Sequence, residues 1–237
     1  MSFFRTIPIH ECGEPMAAIP RDLFAFFDPP PYLAFGAIYG DVSPWMLRLG
    51  VLAALGRAQA RLQAQRPGWN IMIFDAYRPN SVQLFMVERE FGIKAKAAGL
   101  DPSALTEAQH AELAEQVFRY WSIPSDDPLT PPPHSTGSAL DITLADEQGR
   151  EVDMGAPIDE GADPATPDHF ATATDPAGMQ AHKNRVLLRS VMIAEGFHQY
   201  PNEWWHFSKG DQCWAWIEQQ KTPDSAPQAI YGRADLV

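Results

Sequence analysis

SALDITL, residues 138–144, alternates small or polar side chains with Leu140, Ile142 and Leu144. Successive side chains of a strand point to opposite faces, so these three share one face while Ala139, Asp141 and Thr143 share the other. The aliphatic face belongs in a core. The second face carries a carboxylate between small neighbours, which leaves room beside it for a ligand. A second buried strand is predicted at NIMIFDA, residues 70–76, a short apolar run bounded by turn residues.

Outward from these strands the pattern turns helical. Ser43-Pro44 predicts a helix start, with apolar residues recurring to Leu62 before Pro67-Gly68 stops the run. Asn80 or Ser81 opens a helix reaching about residue 98, and Gly99 ends it. Thr106 opens another, with Leu113, Val117 and Trp121 at helical spacing. Residues 179–195 are predicted helical, closed by Gly196. Residues 203–208 and 212–217 are predicted as a final pair of strands, with Lys209-Gly210-Asp211 as their turn. Helices and strands intermix without a βαβ rhythm, which predicts an α+β fold with a central antiparallel sheet flanked by helices. No internal repeat or linker divides the chain, so a single domain over residues 1–237 is expected. The 22 prolines gather around 29–31, 124–133 and 157–176, marking loops. Residues 153–178 form a long predicted loop of the kind that often serves as a lid or binding loop.

Composition excludes more than it identifies. Apolar residues make up 45% of the 237 and aromatics 11%, enough for a substantial core. Against 18 Lys and Arg stand 30 Asp and Glu, and a formal charge of -12 repels phosphate backbones, so general nucleic-acid binding is excluded. No apolar run approaches the ~18 residues that a membrane span needs. The opening MSFFRTIPIHECGEP has no export-signal pattern, and a cytoplasmic protein is expected. Cys12 and Cys213 belong to no CxxC pair, which argues against a thiolate zinc site or redox motif; two free, buried thiols are the favoured reading over one disulfide. No heptad or exposed sticky strand speaks to oligomeric state.

Three segments carry chemistry. His134 lies just before the 138–144 strand, and Gly137 permits the tight turn that brings its ring back over Asp141. An imidazole nitrogen and a carboxylate oxygen converging in this way suit Zn2+. His206, in residues 203–207, supplies a third ligand and leaves a fourth position open, the pattern of a catalytic zinc. Glu203 is the candidate proton acceptor. Positions three apart on an ideal strand face opposite ways, so Glu203 joins His206 only if the strand is bulged or bent there. Arg78, at the end of the 70–76 strand, is placed to stabilise an oxyanion; taken alone, it reads equally as a surface ion pair with Asp75. His10, His110, His169, His182 and His198 are expected to be structural or solvated.

The pattern His134-x-x-Gly137-x-Ala139-x-Asp141, followed by Glu203-x-x-His206, resembles that of the D-alanyl-D-alanine dipeptidases. These belong to a zinc-peptidase group that includes D,D-carboxypeptidases and murein endopeptidases and shares its fold with the hedgehog signalling domain. FDAYRP (74–79), HSTGSALDITL (134–144), DMGAPID (153–159), NRVLLRSVMIAEGF (184–197) and NEWWHF (202–207) all resemble dipeptidase wording, and the likeness spans about residues 30–217. It implies one zinc held by His134, Asp141 and His206, with Glu203 as catalytic base and Arg78 steadying the tetrahedral intermediate. It further implies that Asp159 holds the ammonium group of a small D-dipeptide and that Tyr32 lines its pocket. Pro132 departs from the family, which usually has a serine there contacting the substrate amine. The same metal site also fits a D,D-carboxypeptidase or murein endopeptidase, enzymes that usually act outside the cytoplasm. It fits as well a non-catalytic zinc-binding module, whose mark would be loss of the base that Glu203 retains here.

Overall fold

The computed structural model describes residues 3–159, 163–222 and 224–234. The first half of the chain forms β1 (Met16–Ala18), β2 (Ala25–Phe26), α1 (Pro31–Ala34), β3 (Met46–Arg48), α2 (Leu49–Gln65), β4 (Asn70–Asp75) and α3 (Asn80–Ala97). The second half adds α4 (Glu107–Val117), β5 (Ala139–Ala145), α5 (Pro176–Ile193), β6 (His198–Gln199), β7 (His206–Ser208) and α6 (Gln212–Lys221). The fold is α+β, with sheets flanked by helices.

β5 is the strand around which the rest is built. It sits at the centre of a five-stranded sheet in the order β2-β4-β5-β7-β6, and each of its residues is buried. Leu140, Ile142 and Leu144 enter the main core with Ile71 and Ile73 of β4, where Val51 and Leu55 of α2 and Leu188 and Met192 of α5 meet them. Each such aliphatic side chain withdrawn from water stabilises the fold by roughly 1.5–3 kcal/mol. A smaller cluster, with Tyr32 of α1 and Val82 and Met86 of α3, packs on Phe74 of β4.

Two features of the sheet differ from the sequence expectation. It is mixed rather than antiparallel throughout, because β2 runs parallel to β4 while the other pairs are antiparallel. The β4–β5 ladder also slips between Ile73 and Asp75. A regular register would set Asp75 opposite Leu140, on the core face. The slip sets it opposite Asp141 instead.

Helix boundaries moved wherever a distant partner intervened. The helix expected from Ser43-Pro44 begins only at Leu49, because Met46–Arg48 pairs with Met16–Ala18 as a separate two-stranded ribbon. Ser43 instead organises a turn, its Oγ accepting from the Trp45 N–H at 3.1 Å. Residues 212–217 are not a strand but the start of α6, since Asp211 acts as an N-cap whose carboxylate accepts from the Trp214 N–H at 2.7 Å. Cys12 is exposed and Cys213 buried, and both are free thiols. No helix among the described residues is long and apolar enough to cross a membrane.

The 153–178 stretch, whose residues 160–162 fall outside the described set, is tied to α5 by Asn184, Arg189 and above all Arg185. Arg185 is buried and donates to the carbonyls of Met154 at 2.7 Å, Thr166 at 2.8 Å and Pro164 at 2.9 Å. Its guanidinium also lies over the Trp204 ring, 5.2 Å from the centroid. Arg185→Ala would leave those carbonyls without their charged donor. We expect a loss of about 3 kcal/mol of folding stability, read as the midpoint of urea denaturation, with Arg185→Lys recovering part of it. An unchanged midpoint would refute this account of the loop.

Candidate active site

The register of the sheet alone brings three charged residues into line. Asp141 of β5 stands opposite Asp75 of β4 on one side and His206 of β7 on the other. His134 arrives from the preceding 3-10 turn, Pro133–Thr136, which closes on Gly137 with φ 71°. A side chain at 137 would be strained by that angle, and its Cβ would come within 2.2 Å of Met16 Sδ. The turn folds the His134 ring back over the strand, as the spacing requires.

His134 Nε2 lies 3.3 Å from Asp141 Oδ2 and 3.2 Å from His206 Nδ1, and His206 Nδ1 lies 3.0 Å from Asp141 Oδ1. His134 Nδ1 is 2.7 Å from the Ala76 carbonyl, which can only accept, so Nδ1 carries the proton and Nε2 presents its lone pair. Lone pairs of two imidazoles and a carboxylate held this close repel unless a cation or proton sits among them. Ligands at the ~2.0–2.1 Å bond lengths of tetrahedral zinc stand about 3.3 Å apart, close to these separations. The donor set therefore fits a divalent metal ion, and this is the one such group of three among the described residues. All three side chains are buried. Burial pushes the Asp141 carboxyl up, but His134 and His206 outweigh it and hold that carboxyl well below the usual carboxylate range. Burial likewise opposes a charge on His206, yet its hydrogen bond to Asp141 leaves its pKa raised.

Arg78 sits just past β4 and is buried, as is Asp75. Its Nε donates to Asp75 at 3.0 Å, Nη1 to Gln83 Oε1 at 2.8 Å, and Nη2 to Tyr32 Oη at 2.9 Å and Asp141 Oδ2 at 3.3 Å. The ion pair with Asp75 thus exists, but inside the protein rather than on its surface. Tyr32 passes the contact on, donating to Asp159 Oδ2 at 2.9 Å. Asp159 is the one non-glycine among the described residues with a left-handed φ, 65°. Such a conformation costs on the order of 1–3 kcal/mol and persists where the surroundings enforce it. Burial first, and then the charge of Asp141, push the Asp159 carboxyl up to about 7.

Glu203 reaches the site by a different route from the one its spacing implies. β7 begins only at His206, and Glu203 lies in the turn before it, its N–H donating to the Tyr200 carbonyl at 3.2 Å. No bulge is needed: a turn residue is free of strand alternation, and Glu203 Oε2 comes within 4.0 Å of His206 Nδ1. Burial pushes its carboxyl up to about 8. The same cleft is lined by Arg78, His134, Asp141, Asp159, Glu203 and His206. Tyr32 touches it through Arg78 and Asp159.

Sequence reasoning missed part of the surroundings. Gln83 bridges Arg78 and the Ser122 carbonyl, at 2.8 and 2.7 Å. Its signal was slight: a polar residue on the buried side of the first turn of α3. Trp121 continues no helix, since α4 ends at Val117, and its ring lies 5.6 Å from the Arg78 guanidinium instead. Of the histidines set aside, His110 stacks on Phe91 and His198 pairs with Glu218.

The D-ala-D-ala dipeptidase family profile matches residues 41–226. A D-alanyl-D-alanine dipeptidase of Synechocystis is 43% identical, over 98% of this chain and 96% of the relative. Another, of Escherichia coli, is 32% identical over 61% of this chain and 57% of its own length. Among solved structures, the LdcB LD-carboxypeptidase aligns with 90% of this chain and 75% of its own at 15% identity, with a TM-score of 0.45. Profile and near full-length relative together establish that the chain belongs to the D-ala-D-ala dipeptidase family of peptidases.

Proposed function

We propose that residues 1–237 form a single zinc peptidase domain that hydrolyses D-Ala-D-Ala to two D-alanines. The observation that carries the reading is the convergence of His134, Asp141 and His206 at tetrahedral spacing, with Glu203 Oε2 4.0 Å from one of them. Family membership supplies the substrate class. The main cluster of buried residues runs from Ile19 to Tyr231, which supports one domain.

Zinc, when bound by these three side chains, supplies Lewis acidity that makes water nucleophilic near neutral pH. Glu203 takes the proton of the attacking water at a carboxylate oxygen and returns it to the departing amine nitrogen. Burial pushes its carboxyl up, which makes the ionised form a stronger base, and a divalent cation beside His206 would draw it back toward that ionised form. Arg78, fixed by Asp75, Gln83 and Tyr32, faces the oxyanion that develops on the scissile carbonyl. Asp159, anchored by the Tyr32 hydroxyl, receives the substrate ammonium. Pro132 has no side-chain oxygen to accept from the ammonium, so that end rests on Asp159 and Tyr32. A peptide extended on its amino side would bury Asp159 opposite an uncharged amide, which a low-dielectric cleft disfavours.

Three outcomes test this reading. Chelation should lower the melting temperature and zinc should restore it, by about 2.7 kcal/mol at a hundredfold excess over Kd; Asp141→Ala should show no such response in a thermal-shift titration. Glu203→Ala should keep stoichiometric zinc by elemental analysis yet lose roughly 10²–10⁴ in kcat. N-acetyl-D-Ala-D-Ala should be cleaved more slowly than the free dipeptide, and Asp159→Asn should narrow that gap by roughly 10–100-fold. Equal rates on both peptides in the wild type would refute the ammonium assignment.

A further inference from the structure

One wall of the cleft is built by residues 118–122, which follow the end of α4. The segment is pinned to the site from within. The Ser122 carbonyl accepts from Gln83, whose other end holds Arg78, and the Trp121 ring lies 6.2 Å from Tyr32. Arg119 rides on this wall and also lines the cleft, with its side chain exposed. Its guanidinium lies over the neighbouring Tyr120 ring, 5.4 Å from the centroid. Among the described residues it has no hydrogen-bond or ion-pair partner.

The charges of the cleft are unevenly distributed. Asp141, Asp159 and Glu203 are its acids, and Arg78 and Arg119 its permanent cations. Arg78 is buried, with four of its five N–H donors committed to Asp75, Gln83, Tyr32 and Asp141. A zwitterionic dipeptide whose ammonium reaches Asp159 still carries a carboxylate, which must settle in a protein of formal charge -12. A free arginine on a positioned wall is the group whose fork of donors matches a carboxylate.

We propose that Arg119 receives the C-terminal carboxylate of the substrate and so selects free acids over blocked C-termini. The assignment rests on the dipeptidase reading above and deepens it. Because Arg119 is exposed, water and salt screen the contact, and about a fivefold effect is expected.

The test compares D-Ala-D-Ala with D-Ala-D-alaninamide, which keeps the amine and scissile bond and loses only the terminal charge. Zinc-loaded wild type, Arg119→Gln and Arg119→Lys are assayed on both. The wild type should favour the acid, and Arg119→Gln should shrink the acid-to-amide ratio of kcat/KM about fivefold, chiefly through KM for the acid. Arg119→Lys should restore most of the ratio, and added salt should erode it in the wild type but not in Arg119→Gln. An acid-to-amide ratio unchanged in Arg119→Gln, including an equal loss on both substrates, would overturn the assignment alone. A wild type that holds zinc and cleaves neither compound would overturn the dipeptidase reading and this assignment with it.

Discussion

Two buried carboxylates face each other across neighbouring strands, and the fold is arranged so that they can. Asp75 and Asp141 are each about 2% exposed and stand in register on β4 and β5. Like charges so close in a poorly solvated interior would drive protonation or unfolding. Arg78 lies between them and bonds to both, from 2.9 Å and 3.3 Å. The arginine therefore supports the sheet as well as the site, since losing either partner leaves an uncompensated buried charge, commonly a cost of about 3–5 kcal/mol. The slip in the β4–β5 ladder is what puts Asp75 on this face, so a backbone irregularity and an ion pair depend on one another.

Much of the site was legible because its residues come in short segments. Four positions from His134 to Asp141 report a turn and a strand, and the glycine among them allows only a few backbone paths. What failed to show was whatever depends on a distant partner. Met46–Arg48 is a strand only because Met16–Ala18 lies beside it. Asp75 reads as a surface residue until its register with β5 is known. In α6, Trp214 and Trp216 alternate like a strand, and Asp211 serves equally well as a turn residue or a helix cap; the cap bond to Trp214 decides it. Glu203 violated strand geometry only while it was counted as part of the strand.

The cleft is acidic in its chemistry beyond the overall charge of the chain. Glu203 and Asp159 both sit with carboxyls pushed upward, chiefly by burial, and Asp141 adds its field to each. A pocket that strains its own carboxylates in this way favours cations entering it. One such visitor fits the His134, Asp141 and His206 group, and under the proposed function the ammonium of a short peptide is the other.

The relay from Arg78 through Tyr32 to Asp159 has a stereochemical consequence. The tyrosine hydroxyl has one proton, given to Asp159, while its oxygen takes a donor from Arg78, so neither neighbour can swing independently. Asp159 and Arg78 are thereby fixed relative to Asp141 as three unlike corners of one cleft. Approached only from the open side of the cleft, three unlike corners are handed. A molecule and its mirror image can each touch two of the corners alike, but on reaching the third they turn their methyl groups toward opposite walls.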